Sequence, residues 1–167
     1  MALAQSELHR ASQRQPLRKS QPHSGRQRTA FLCHSHKDSV LAEGLQVWLA
    51  EQGVELYIDW KDATMPERPN RETAERIQLQ IKTCDWFLFL ATGNSMSSRW
   101  CPWELGYADG TKQLDRIAIA PTSDAVTTHG NEYLHLYRRV DLSTAGELLW
   151  VPPNSNQGQY VRSIPFL

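Results

Sequence analysis

The chain alternates between short unbroken apolar runs and longer stretches in which apolar residues recur at helical spacing. Ala30-Phe31-Leu32-Cys33 is the first such run and reads as a buried strand. After His34-Ser35-His36-Lys37-Asp38, the residues Leu41, Leu45, Trp48 and Leu49 fall at i, i+4, i+7 and i+8, an amphipathic helix that Gly53 stops. Val54, Leu56 and Ile58 occupy every second position, a half-buried strand ending at Asp59-Trp60. A polar loop over 61–70 carries Pro66 and Pro69. Ala74, Ile77, Ile81 and Cys84 then share one helical face, and Trp86-Phe87-Leu88-Phe89-Leu90 has the continuous apolarity of a parallel-sheet strand buried on both sides.

Gly93-Asn94-Ser95 predicts a turn, and Ser97 and Ser98 are candidate N-caps for a helix containing Trp100, Pro102, Glu104, Leu105 and Ala108, with Gly110 near its end. Ile117-Ala118-Ile119-Ala120 reads as a fourth strand stopped by Pro121, and residues 133–140 as a fifth. Beyond Val140 the pattern weakens into a loop over 151–156 and a short tail. Strands separated by helices imply right-handed crossovers and a parallel sheet. The expected fold is therefore α/β: a flavodoxin-like, doubly wound, five-stranded parallel sheet with helices on both faces. Ligands of such sheets bind outside the carboxyl ends of the strands, which places loops 34–38, 59–70 and 91–104 at the site.

Composition changes this picture mainly at the N-terminus. The 167 residues suit one domain of roughly 100–200. Lys+Arg and Asp+Glu balance at 18 each, yet Arg10, Arg14, Arg18, Lys19, Arg26 and Arg28 face only Glu7 within residues 1–28. That segment is expected to be a disordered basic arm, with structure beginning near Thr29 and a domain with a C-terminal extension over 29–167. Basic charge confined to such an arm offers no patch for nucleic acid. No apolar face organises its arginines as in a transit peptide, and no signal-peptide core follows it. The longest apolar run, 86–91, is far short of the roughly 18 residues that span a bilayer. A cytoplasmic protein without membrane or nucleic-acid partners is expected. Cys33, Cys84 and Cys101 are widely spaced and odd in number, so no disulfide framework or zinc site is implied.

Three segments carry a resemblance. Residues 30–38, Ala-Phe-Leu-Cys-His-Ser-His-Lys-Asp, resemble the first box of TIR (Toll/interleukin-receptor) domains, with Cys33-His34 standing where the family has a small residue and an aromatic. Asp59-Trp60-Lys61-Asp62 through Met65-Pro66 resembles the family's BB loop. Ser98-Arg99-Trp100-Cys101-Pro102-Trp103-Glu104-Leu105-Gly106 resembles the bacterial and plant pattern in which a W-x-x-x-E helix bears the catalytic glutamate. The likeness spans about residues 29–140. It implies an enzyme that cleaves NAD⁺ as its substrate, with no cofactor or metal, and self-association through the 59–70 loop that completes the active site. A narrower likeness, to the TIR component of Thoeris anti-phage systems, implies a phage-derived trigger and an effector reached through the nucleotide product.

The chemistry fits a single carboxylate. Hydrolysis of an ordinary glycoside needs two, one to protonate the leaving oxygen. The nicotinamide of NAD⁺ is a cationic pyridinium that departs neutral, so the protein must supply negative charge near the ribosyl cation, hydrogen bonds to the ribose and exclusion of water. Glu104 is the candidate, and its place near a helix amino end favours the ionised form. Trp100, one turn earlier, shares its face and is a candidate wall for ribose or pyridinium. The remaining candidate substrate contacts are Phe31, His34, Ser35, Asp59, Lys61 and Trp103, although Trp103 reads more readily as a core anchor. His34 and His36 lack a third metal ligand. The product, ADP-ribose or a cyclic ADP-ribose, depends on what captures the ribosyl cation and stays open here. Two other functions remain: a TIR scaffold that acts by self-association alone, and a nucleoside deoxyribosyltransferase-like hydrolase whose glutamate attacks the ribosyl carbon.

Overall fold

In a computed structural model the described residues are 2–15, 27–61 and 70–164. The elements in chain order are β1 (Leu3–Ala4), α1 (Gln5–Ser12), β2 (Arg28–Cys33), α2 (Ser39–Glu51), β3 (Val54–Tyr57), α3 (Arg71–Thr83), β4 (Trp86–Ala91), α4 (Gly93–Met96), α5 (Cys101–Thr111), β5 (Ile117–Ser123), β6 (Thr128–His129), β7 (Arg138–Leu142), β8 (Leu148–Val151) and β9 (Gln159–Tyr160). The sheet order is β3-β2-β4-β5-β7-β8-β9. From β3 through β7 every neighbour pair is parallel, the doubly wound arrangement expected from the alternating pattern.

Side chains alternate across the sheet, so each strand feeds two cores. Phe31, Cys33, Phe87, Phe89, Ile117 and Ile119 pack against α3 and α5 through Ile77, Ile81, Cys101, Leu105 and Ala108. Ala30, Leu32, Leu88, Leu90, Ala118 and Ala120 pack on the other face with Leu8 of α1 and Ala42, Leu45 and Leu49 of α2. The continuous apolar run of β4, buried at every position, is what two-sided packing requires.

The N-terminal segment departs from expectation. Residues 3–12 are not a disordered arm: β1 pairs in parallel with the end of β5, and Leu3 and Leu8 are completely buried. Leu3, Leu8 and Ala11 are too sparse to register as a pattern in a basic, polar stretch, yet they bury this helix against α2. The approach is close enough that a Cβ on Gly44 would lie 2.0 Å from the Leu8 carbonyl oxygen. Arg28 is also structured, as the first residue of β2, where its guanidinium donates to the carbonyls of Gln52 and Val161. The part of the basic segment over 16–26 lies outside the described residues.

Two further differences concern strand ends. Pro121 does not stop the fourth strand; β5 continues to Ser123, because β4 ends at the Pro121 partner Ala91 and the strand then pairs with β1 and β6. A proline is tolerated where the ladder changes partners. The chain beyond Val140 is also not a loose tail. β8 and β9 add antiparallel strands beyond β7, and Trp150 packs on Trp86 with ring centroids 5.3 Å apart. The fifth parallel strand runs over Arg138–Leu142, later than expected, because Asn131–Tyr133 forms a 3₁₀ turn. Among the described residues no helix is long and apolar enough to cross a membrane.

Candidate active site

Three chain segments meet at the carboxyl ends of β2, β3 and β4. The first follows β2: His34 is buried, Ser35 caps a 3₁₀ turn over His36–Asp38, and the Ser35 Oγ accepts from Lys37 N at 3.4 Å. Asp38, also buried, accepts from Thr92 Oγ1 at 2.5 Å and from Asn94 Nδ2 at 2.7 Å. Thr92 and Ser95 in turn form the capping box of α4. The loop after β2 is thereby tied to the loop after β4.

The second segment is the end of β3, where Asp59 Oδ2 lies 3.4 Å from His36 Nε2. That contact raises the His36 pKa, whereas burial lowers the pKa of His34, whose ring lies parallel to His36 at 6.0 Å. His34 Nδ1 is 3.2 Å from the Leu32 carbonyl oxygen.

The third segment is the start of α5. Ser98 Oγ accepts from the backbone N–H of Trp100 and Cys101 at 3.1 and 3.3 Å, and Pro102 sits in the first turn, where its missing N–H costs nothing. The helix begins at Cys101, with Trp100 at its cap; the Glu104 amide still bonds the Trp100 carbonyl at 2.9 Å, which keeps the two residues one turn apart.

Glu104 is 5% exposed. Its neighbours are the thiols of Cys33, at the end of β2, and Cys101, with Asp59 near enough to act on its charge. Burial pushes its pKa up to about 8. The helix amino end does favour the anion, but here desolvation by the apolar wall of Cys33, Cys101 and Leu105 wins. A buried carboxyl group with a raised pKa, at the carboxyl end of β2, differs from an exposed acid that merely caps a helix dipole, and this makes Glu104 the candidate reactive group.

A family model for the TIR domain matches residues 30–147, which is most of the chain. The chain belongs to the TIR domain family. Its similarity to a named relative is also extensive: the "Probable 3' cyclic ADP-D-ribose synthase ThsB'" of Bacillus cereus (strain MSX-D12) is 36% identical over 141 residues, covering 79% of this chain and 71% of that protein.

Within this TIR domain the candidate residues separate. His34, Asp59 and Glu104 share electrostatic neighbours and converge at the sheet edge, with Ser35 in the same loop. Trp100, one helical turn before Glu104, is 37% exposed. Trp103 is equally exposed, so it is not a core anchor; it packs edge-on against Trp100 at 5.4 Å and stacks on Tyr107 at 6.1 Å. Phe31 is removed from the site, because it is 1% exposed and stacked between Tyr57 and Phe87 in the core. Lys61 turns toward α2, donating to Gln46 Oε1 at 2.8 Å and pairing with Glu43 at 3.5 Å. Residues 62–69, most of the predicted BB loop, lie outside the described residues.

Sequence reading missed Asp38, Thr92 and Asn94 as the clamp that joins two loops, although Thr92-x-x-Ser95 is a legible capping pattern. No group of His, Cys, Asp and Glu among the described residues has the geometry to hold a metal ion. A cavity of about 790 Å³ lies away from Glu104, on the opposite face of the sheet between α1, Trp48 and the β7–β8 turn. Its Arg14 is already engaged by Glu51 at 2.6 Å, and size alone does not make it the reaction site.

Proposed function

We propose that this TIR domain cleaves NAD⁺ between nicotinamide and ribose with Glu104 as the catalytic carboxylate, and joins the remaining ADP-ribosyl unit to itself as a cyclic ADP-ribose. The observation that carries the reading is the buried Glu104 carboxyl, with a proton affinity near neutrality, one turn from an exposed indole. In the free protein burial favours its protonated form. A pyridinium cation bound against Trp100 favours the anion, so substrate itself charges the site. The C1′–N bond then breaks with its electron pair leaving on nicotinamide. The Glu104 carboxylate stabilises the ribosyl cation in a water-poor setting.

The relative's name specifies a 3′ cyclic product, and a primed position is a ribose carbon. We therefore read the internal nucleophile as a ribose hydroxyl of the adenosine half, not the adenine ring. Its oxygen bonds to C1′ and its proton passes to Glu104, whose raised pKa suits it as acceptor. Water in its place yields ADP-ribose. Trp100 walls the ribose and nicotinamide, while His34, Ser35 and Asp59 contact the ribose or phosphates from the β2 and β3 ends. We read the product as a signal in anti-phage defence, with a phage-derived trigger before it and an effector after it, a reading that the likeness to the named relative supports. Assembly through the 59–70 loop completes the site, and activity then rises faster than linearly with protein concentration.

The decisive experiment incubates purified protein with NAD⁺ and identifies products by chromatography and mass. Wild type releases nicotinamide and an ion of the mass of cyclic ADP-ribose; Glu104→Gln keeps the fold and releases neither. Full turnover by that variant overturns the mechanism. Release of base from deoxynucleosides instead supports the deoxyribosyltransferase-like alternative.

A further inference from the structure

The acids at the sheet edge suit one end of NAD⁺ and oppose the other. Negative charge on Glu104 and Asp59 favours the pyridinium, but it repels the diphosphate of the same molecule. A cation between them relieves the conflict. Lys61, the basic residue expected to face the substrate, is engaged by Gln46 and Glu43 of α2. His36 is placed to supply the charge.

His36 opens the 3₁₀ turn that follows β2. Cys33 Sγ, at the end of that strand, donates to the Cys101 carbonyl oxygen at 3.6 Å, so the loop leaves the sheet where the helix bearing Glu104 begins. The ring is held on two sides. Its Nε2 lies 3.4 Å from Asp59 Oδ2, and it stacks parallel to the His34 ring at 6.0 Å. Even so, 73% of the His36 side chain is exposed, against 16% for Asp59. The two nitrogens of an imidazole point apart, so with Nε2 on the carboxylate Nδ1 is turned away from it.

A protonated ring donates from both nitrogens, which leaves one N–H for an anion while the other holds Asp59. The Asp59 contact keeps that proton on, raising the His36 pKa above its usual value. His34 does not oppose it, because burial lowers the His34 pKa and favours the neutral ring. Among the described residues, the other titratable groups near the ring are those of its own turn and of α5. Lys37 is exposed, Asp38 is turned to Thr92 and Asn94, and the Cys101 thiol lies at the start of the helix.

Resting on the reading that this domain cleaves NAD⁺, we propose that His36 determines substrate specificity: its Nδ1–H, on a ring fixed by Asp59, donates to the diphosphate and so selects a dinucleotide over a nicotinamide riboside without phosphate. No covalent bond changes at His36. Its part lies in binding, and the reacting bond stays with Glu104. Arginine at this position keeps a cation, and alanine removes it.

Nicotinamide riboside carries the same scissile bond and no phosphate, so comparing it with NAD⁺ isolates the diphosphate contact. For the full chain, the preference for NAD⁺ is the ratio of the two kcat/KM values for nicotinamide release. In His36→Ala that preference falls by roughly tenfold, the size of one charge-assisted hydrogen bond. His36→Arg retains most of it. A merely structural role lowers both substrates alike and leaves the ratio unmoved. A second readout is pH. The wild-type KM for NAD⁺ rises relative to that of His36→Arg as the medium passes from mildly acidic through the imidazole pKa, because arginine keeps its charge. Glu104 titrates in both proteins and cancels from the comparison. An unchanged preference in His36→Ala, or a relative KM that is flat with pH, overturns the proposal. Where wild type does not turn over nicotinamide riboside, the relative KM decides alone. Failure of the underlying reading is separate: it shows as NAD⁺ turnover by Glu104→Gln, whatever the His36 variants give.

Discussion

Thr92 Oγ1 donates to Asp38 Oδ2 at 2.5 Å, joining the loop after β2 to the loop after β4. With Asn94 donating to the other oxygen at 2.7 Å, one carboxyl group sets the spacing of the two loops that flank Glu104. Asp38→Ala leaves both donors without that acceptor in a buried setting. The expected cost is about 2–3 kcal/mol in urea denaturation. Nicotinamide release should fall as well, even where the variant is fully folded, because the loops lose their register. Unchanged turnover in folded Asp38→Ala would mean that the clamp serves stability alone.

The proton affinity of Glu104 makes activity depend on pH. Burial places its pKa at about 8, so kcat/KM for nicotinamide release, which reports the free enzyme, should rise through that region as the anion forms. At saturating NAD⁺ the midpoint of kcat should lie lower, since the bound cation favours the anion. A flat profile across neutrality contradicts the assignment.

The same shift has a stability signature. Folding raises the Glu104 pKa from 4.5 to about 8, so across that window the folded chain keeps a proton that the unfolded chain has lost. Stability from this group therefore falls as pH rises between the two values, is unaffected below the lower one, and carries the full penalty above the upper one. That penalty is on the order of a few kcal/mol. Glu104→Gln cannot ionise and escapes it. Its melting temperature relative to wild type should be higher in alkaline than in mildly acidic buffer, and a difference constant with pH would refute the burial effect.

The two exposed tryptophans should behave differently. Trp100 is one turn from Glu104, whereas Trp103 stacks on Tyr107 along the outer face of α5. Trp100→Ala should lower kcat/KM by roughly 2- to 30-fold, the range of a lost cation–π contact of about 0.5–2 kcal/mol. Trp103→Ala should change it less than Trp100→Ala does. The reverse order would move the substrate onto the Trp103–Tyr107 surface.

The N-terminal helix is open to a direct check. Leu8 of α1 is fully buried in the core that α1 shares with α2, so Leu8→Ala should destabilise the chain by about 2–5 kcal/mol. Gly44→Ala should also destabilise it, because the added methyl meets the Leu8 backbone. Wild-type stability in both variants would return residues 3–12 to a loose arm.

Much of this fold was legible because its strands and helices are written in local periodicities. The unbroken apolar run of β4 and the spacing of Leu41, Leu45 and Leu49 both report surroundings that repeat along the element. The N-terminal helix escaped because three apolar residues in a basic stretch have meaning only beside Gly44 and the end of β5. Lys61 escaped for a similar reason: a loop lysine's direction depends on Glu43 and Gln46, which belong to the preceding helix. Phe31 was a candidate substrate contact, and its two stacking partners claim it for the core.

By itself the sequence determined the alternation of the main strands and helices from β2 to β5, the doubly wound sheet and the placement of Trp100 and Glu104 one helical turn apart, since each follows from neighbours within a few positions. Only the tertiary structure decided that Glu104 is enclosed by Cys33 and Cys101 and so holds its proton near neutrality. Proton affinity follows from desolvation, and desolvation is imposed by side chains that folding brings from distant parts of the chain.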